Sequence, residues 1–131
     1  MGMQNPYEKY KSNVITTASK EELTLMLYEG AIKFSNQAIT ALEQKNYEKT
    51  SQLIIRVQDI VREFQLTLNH SYEISRQLDV LYTYMFSRLI DANVKKDVEI
   101  LQEVKGMLSE MRDTWKEASR LARQQNPAAV V

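Results

Sequence analysis

Hydrophobic residues recur at intervals of three or four positions along most of this 131-residue chain, which is the period of amphipathic α-helices rather than of strands. Polar breaks divide the pattern into four segments, at about residues 20–43, 47–69, 73–93 and 97–124. Short connections make successive helices antiparallel. We therefore predict an all-α fold, an antiparallel up-down four-helix bundle, with residues 1–18 forming a short N-terminal helix or segment packed on it.

The predicted helix starts carry residues that can bind the first backbone amides. Ser19 opens a capping box, because its hydroxyl can accept from the amide of Glu22 while the Glu22 carboxylate reaches back. Asn46 and Asp97 are placed to cap the second and fourth helices. A polar turn at residues 69–71 precedes the third helix. These signals support the four segments derived from the hydrophobic period.

Projection of each segment at about 100° per residue separates a core face from the residues left outside it. The second, third and fourth helices each have one continuous core face. The predicted members of these faces are, on the second helix, Leu53, Val57, Ile60, Val61, Phe64 and Leu68; on the third helix, Ile74, Leu78, Leu81, Tyr82, Met85, Leu89 and Ala92; and on the fourth helix, Leu101, Val104, Leu108, Met111, Trp115, Ala118 and Ala122. The first helix is two-sided, with a second apolar face opposite the one that contains Ala31 and Phe34.

Several apolar residues fall outside the main core faces and are candidates for binding a partner. They are Leu25, Tyr28 and Ile32 on the first helix, Ile55 and Leu66 on the second, and Val80 and Tyr84 on the third. Single exposed apolar residues are ordinary on a protein surface, so any one of these residues could be exposed without having a function. Together they exceed what a bundle of this size leaves outside its core. They favour a protein-binding module, because helical grooves hold amphipathic segments through anchors at this spacing.

Composition narrows the function further. Acidic and basic residues balance at 17 each, so no net field attracts nucleic acid or an anionic membrane. There is no cysteine, and no apolar run approaches the roughly 20 residues that span a bilayer. The first residues lack the apolar core of a secretory signal. We expect one cytoplasmic domain over residues 1–131, with a frayed tail at 125–131, that neither binds nucleic acid nor inserts into a membrane.

No catalytic, cofactor-binding or metal-binding set emerges from the sequence. The single histidine, His70, lies in a predicted turn, and Thr67 stands where the Glu-x-x-His pair of a di-iron bundle would need an acid. The three glycines are isolated, so there is no phosphate-binding loop. Gly30 and Gly106 lie inside predicted helices, where either a neighbouring helix or a bound partner would come close. We expect no cofactor and no enzyme activity.

A series of short motifs follows in order along the chain. They are Asn5-Pro6-Tyr7-x-x-Tyr10, Thr16-Thr17-Ala18-Ser19, the run from Glu22 to Phe34, Leu81-Tyr82-Thr83-Tyr84-Met85, Arg88-Leu89-x-x-Ala92-Asn93, Glu103-Val104 and Arg112-Asp113-x-Trp115. Taken together, over about residues 5–118, they resemble the FliS family of flagellar secretion chaperones. Two positions depart from the family pattern. Lys20 stands where the family usually has proline, and Ser71-Tyr72-Glu73 replaces a frequent Gly-Gly-Glu turn.

The resemblance implies a cytosolic bundle that binds newly made flagellin. In that family the C-terminal segment of flagellin is disordered alone and folds into helices around the chaperone. This binding prevents premature polymerisation and aids delivery of flagellin to the flagellar type III export gate. Other flagellar regulators are further candidate partners. The residues by themselves leave an alternative open, an unrelated helical protein whose outer stripes serve only to form a homodimer.

The N-terminal segment adds two candidate partner-binding residues. Tyr7 and Tyr10 would lie one turn apart on the same face of a short helix. A segment of roughly 18 residues does not hold a helix alone in water, so its order depends on docking. Leu25, Tyr28 and Ile32 are the expected docking residues. The segment is then either a latch that a partner displaces or a permanent part of the fold.

Overall fold

The computed structural model describes residues 19–125, and this part of the chain forms four helices and no strand. The helices are α1 (Lys20–Glu43), α2 (Tyr47–Thr67), α3 (Ile74–Lys95) and α4 (Val98–Gln125). The predicted all-α bundle is confirmed, and the observed bounds follow the predicted ones closely. The predicted N-terminal helix, with Tyr7 and Tyr10, lies outside the described residues. So does the predicted frayed tail, apart from the last residue of α4.

Three of the four helices begin at the predicted capping residues. The Ser19 hydroxyl accepts from the amide of Glu22 at 3.1 Å, and Asn46 Oδ1 accepts from the amide of Lys49 at 3.2 Å. At the start of α4, the carboxylate of Asp97 accepts a backbone amide at 2.9 Å. Each bond satisfies an amide that has no partner within its own helix.

The helices form a closed ring in which each packs against its neighbours in sequence and α4 packs against α1. A single apolar core lies inside this ring. Its large, fully buried members are Ile54, Val57, Val61, Met85, Leu89, Leu101, Val104 and Leu108. The faces between α1 and α4 and between α2 and α3 therefore lie on opposite sides of the bundle.

Two residues of α1 that were predicted to face outward belong to the core. Tyr28 is 4% exposed and Ile32 is 8% exposed. Because α1 packs against both α2 and α4, its apolar surface must be wider than a single stripe. The second apolar face of α1 is therefore part of the core at these two positions. The prediction that Tyr28 and Ile32 face outward is therefore wrong.

The two helical glycines do not mark crowded helix contacts. A Cβ atom added at Gly30 would meet Ile60 Cδ1 at 3.7 Å, an ordinary van der Waals distance, and one added at Gly106 would meet nothing within 4 Å. The predicted close approach of a neighbouring helix is therefore absent at Gly106, and the space at Gly30 accommodates a methyl group.

Candidate partner-binding surfaces

Five aliphatic side chains on α2 and α3 are exposed, apart from those that line an opening at one end of the bundle. Ile55, Leu66 and Val80, which the sequence analysis assigned to partner binding, are 48%, 74% and 65% exposed. Ile90 and Val94 are 45% and 79% exposed. We call these five residues the α2–α3 strip. The outward orientation predicted for the first three is confirmed.

Polar contacts between α2 and α3 set the register of the two helices. Gln65 Nε2 donates to Asp79 Oδ1 at 3.2 Å and to Thr83 Oγ1 at 3.0 Å. Further along the pair, the Ser51 hydroxyl donates to Asn93 Oδ1 at 2.7 Å. The contacts of Gln65 join the end of α2 to the first half of α3, and the contact of Ser51 joins the start of α2 to the end of α3, as an antiparallel arrangement requires.

This register divides the α2–α3 strip into two groups. Leu66 directly follows Gln65 and Val80 directly follows Asp79, so Leu66 and Val80 lie level along the bundle. Ile55 lies level with Ile90 by the same register. Val94 extends this second group by one helical turn. An amphipathic segment laid along α2 and α3 would meet apolar side chains near both of its ends.

Sequence projection missed two members of the α2–α3 strip. Ile90 is not among the predicted outer residues, and the predicted third helix ends at about residue 93, before Val94, whereas α3 continues to Lys95. Phe86, Ile90 and Val94 follow one another at intervals of four residues, which places them on one side of the helix. That spacing is the signal from which the second group could have been found.

Tyr84 points towards α4 rather than along the strip. Its hydroxyl donates to Glu103 Oε2 at 2.5 Å, and Arg88 Nε donates to Glu103 Oε1 at 2.8 Å. The hydrogen bond to Glu103 raises the pKa of Tyr84, and the bonds from Tyr84 and then Arg88 lower the pKa of Glu103. The Tyr84 ring is still 42% exposed. Its position between α3 and α4 sets it apart from the three strip residues predicted with it.

Leu25 lies on the opposite side of the bundle, between α1 and α4. It is half-buried and lines a cavity of about 480 Å³ together with Trp115 and Arg120. The Trp115 indole N–H donates to the backbone carbonyl of Glu21 at 3.2 Å, which joins the start of α1 to α4. The predicted binding residues thus do not form one contiguous site.

A larger opening lies at one end of the bundle, where α1 and α3 begin and α2 ends. This end groove has a volume of about 790 Å³. Its lining includes Tyr28, Phe64, Leu78, Leu81, Tyr82 and Trp115. It is mainly apolar, and all four helices contribute to it. Grooves of this size that combine apolar walls with a few polar groups are typical binding sites.

The end groove exists because the core faces continue beyond the point where the helices cover one another. Ile74 and Leu81 were predicted as core, yet they are 56% and 40% exposed and line this groove. Met111 and Trp115 are likewise only partly buried. Helical projection identifies the face on which a residue lies, but not whether another helix extends far enough to cover it.

Three stacked aromatic rings border the end groove. Phe64 lies between Tyr28 and Tyr82, with centroid distances of 4.4 and 5.4 Å. The Tyr28 and Tyr82 hydroxyls are 3.0 Å apart. Burial raises the pKa of both phenols, and their mutual hydrogen bond raises that of Tyr82 further. The pair is therefore neutral at physiological pH and adds two hydroxyl groups to an otherwise apolar site.

Within residues 19–125, no three or more His, Cys, Asp or Glu side chains lie close enough together to hold a metal ion. No helix in the same range is both long and apolar enough to cross a membrane. His70 lies in the exposed connection between α2 and α3, as expected for a turn residue.

Comparison with known proteins identifies the family. The model of the flagellar protein FliS family matches residues 3–122. The flagellar secretion chaperone FliS of Bacillus subtilis is 42% identical over 118 residues, which cover 90% of this chain and 89% of that protein. The chaperone of the same name from Salmonella typhimurium is 30% identical over 110 residues, 82% of each chain. The flagellar secretion chaperone FliS of Escherichia coli is 26% identical over 109 residues, which cover 81% of this chain and 80% of that protein.

The matches cover nearly all of the sequence, including the four helices of the described bundle. They agree with the motifs that run from Asn5 to Trp115. The chain therefore belongs to the FliS family of flagellar secretion chaperones, which are not enzymes.

Proposed function

We propose that this chaperone acts in the cytoplasm, where it binds the disordered C-terminal segment of flagellin. Binding keeps flagellin from polymerising prematurely and aids its delivery to the flagellar type III export gate. The observation that carries the proposal is the α2–α3 strip, because five exposed apolar side chains on two adjacent helices suit an amphipathic segment. The absence of a net charge in the sequence favours capture by apolar contact over long-range electrostatic steering.

The strip alone is too small for tight capture of a disordered segment. Full burial of a Val, Leu or Ile side chain contributes about 1.5–3 kcal/mol, so covering five partly exposed ones contributes on the order of 5 kcal/mol. Ordering a disordered segment costs about 2–5 kcal/mol, which offsets most of that gain. A stable complex therefore needs further apolar area, and the end groove, with a volume of about 790 Å³ and mainly apolar walls, can provide it.

The proposal is tested by titrating the chaperone with flagellin that carries or lacks its C-terminal segment. We expect binding by isothermal titration calorimetry only when that segment is present, with a negative heat-capacity change from apolar burial. Equal binding of both flagellins would contradict the proposed site on flagellin. Size-exclusion chromatography addresses the homodimer alternative, since self-association that flagellin leaves unchanged would favour it.

A further inference from the structure

Building on the function proposed above, we infer that the end groove receives the C-terminal end of a helix in the bound segment. A free main-chain carbonyl of that helix end accepts a hydrogen bond from the hydroxyl pair of Tyr28 and Tyr82. The pair would thus select where along the groove the partner's helix stops. The strip supplies apolar area, whereas this pair supplies a directional contact.

The Tyr28–Tyr82 pair has one more hydroxyl proton than its own hydrogen bond uses. Tyr28 and Tyr82 bring two hydroxyl protons, and the 3.0 Å contact between their oxygens uses one of them. The other proton has no acceptor among residues 19–125. Both side chains are 4% exposed, and both line the end groove. In the unbound protein, water entering the groove can accept this proton.

A bound segment that fills the groove displaces that water. A buried donor left without an acceptor destabilises the complex, so a purely apolar occupant would bind at a disadvantage. The favoured occupant brings an acceptor to the floor of the groove together with apolar side chains for Leu78, Leu81 and Trp115. This requirement distinguishes the end groove from the strip, which presents only apolar side chains.

The charges at the rim argue for a neutral acceptor. Lys20 and Glu110 both line the groove, both are exposed, and neither forms an ion pair within the described part of the chain. Their opposite charges give no net preference for an anion. Main-chain carbonyls inside a helix are already bonded, whereas the last four have no partner in their own helix. A helix end therefore supplies the apolar surface and the free acceptor together.

The test replaces both hydroxyls without changing the rings. We expect the double variant Tyr28→Phe/Tyr82→Phe to keep its helicity and to bind the C-terminal segment of flagellin about tenfold more weakly, because the partner's carbonyl loses its donor. Each single variant should lose less, since the remaining hydroxyl is freed from its neighbour and can still donate. Tyr47→Phe is the matched control, because Tyr47 begins α2 and is 50% exposed.

A second measurement separates hydrogen bonding from folding. Tyrosine labelled with ¹³C at Cζ reports the hydrogen-bond state of each hydroxyl by NMR, and we expect the resonances of Tyr28 and Tyr82 to shift when the flagellin segment binds. An unchanged dissociation constant for the double variant, or unshifted resonances in the wild-type complex, would overturn the inference. Failure of the wild-type protein to bind flagellin at all would instead overturn the proposed function.

Discussion

The guanidinium of Arg62 on α2 lies over the ring of Phe86 on α3, with its central carbon 4.5 Å from the ring centroid. This cation–π contact joins the two helices between the two groups of the α2–α3 strip. It places a positive charge near the middle of an apolar surface. The two apolar groups on either side are therefore the parts of the strip where a charge would most disturb a bound partner.

The first prediction concerns one residue from each group. Changing Ile55 and Leu66 to Asp should weaken flagellin binding at least tenfold, because each carboxylate would lose water beneath the bound segment. Both side chains are about half exposed or more, at 48% and 74%, so helicity and melting temperature should change little. Calorimetric titration and thermal unfolding measure the two effects separately.

Leu121→Asp serves as the control for that variant. Leu121 is 41% exposed but lies on α4, away from the strip. It should leave both the affinity and the melting temperature close to those of the wild type. Unfolding of the Ile55→Asp/Leu66→Asp variant would instead show that these residues support the core.

The second prediction concerns the pH dependence of Glu103. Tyr84 and Arg88 hold its pKa below the ordinary value. A carboxylate with a lowered folded-state pKa stabilises the fold above its unfolded pKa, and this contribution is lost as pH falls through the folded pKa. Tyr84→Phe should therefore raise the pKa of Glu103 towards its ordinary value in an NMR titration. The effect on stability should be small because the cluster is exposed to solvent.

Tyr47→Phe removes a hydroxyl that does not contribute to the lowered pKa of Glu103, and it provides the reference titration. Because the hydrogen bond from Tyr84 is the largest cause of the lowered pKa, its loss should have a larger effect than the loss of Arg88. A Glu103 midpoint that does not move in Tyr84→Phe would mean that the hydroxyl contact is absent in solution.

The third prediction concerns the two helical glycines. Gly30→Ala and Gly106→Ala should each increase the free energy of unfolding by about 0.5–1 kcal/mol, because alanine loses less backbone entropy in a helix. The added methyl group fits at both positions. Urea denaturation gives the stabilities, and titration with flagellin gives the affinities.

The comparison of the two glycine variants tests whether a partner needs the space at Gly30. Weaker flagellin binding by Gly30→Ala, together with increased stability, would assign that position to partner contact. Loss of stability in Gly30→Ala would mean that α1 and α2 pack more closely around Ile60 than the 3.7 Å contact indicates.

The helices and their starts were predictable because their causes are local. The Ser19 hydroxyl binds the amide three positions later, and Asn46 does the same. The outward faces of α2 were predictable for a similar reason. That helix has one narrow core face, so Ile55 and Leu66 project clearly to the other side.

The burial of several residues could not be predicted, because it depends on how many helices pack against a given helix and how far those neighbouring helices extend. The second apolar face of α1 looked like an outer surface until the packing of α1 against both α2 and α4 showed it to be core at Tyr28 and Ile32. The opposite error occurred at Ile74 and Leu81, which were predicted to be core. No neighbouring helix covers this part of the core face, and the two residues line the end groove instead. Both errors arise because the burial of these residues depends on the tertiary arrangement of the helices, which cannot be derived from the hydrophobic period of the sequence.

The last prediction concerns the N-terminal segment, whose residues lie outside the described part of the chain. We propose that Tyr7 and Tyr10 anchor it as a latch that flagellin displaces. The segment joins the bundle at Ser19, next to Lys20, which lines the end groove. Leu25 is half-buried and lines the cavity between α1 and α4, so it remains available as a docking residue. Ile32 is enclosed in the core, and Tyr28 is buried except where it lines the end groove.

Hydrogen exchange distinguishes a latch from a permanent part of the fold. A segment of this length does not stay helical without docking, so release should expose its amides to solvent. We expect exchange at residues 5–14 to become faster when flagellin binds, and Tyr7→Ala/Tyr10→Ala to produce the same fast exchange without flagellin. Amides of α1 near Ala31, which is fully buried, serve as the internal reference and should stay protected in every case. If residues 5–14 exchange equally slowly with and without flagellin, Tyr7 and Tyr10 are structural residues and the latch does not exist.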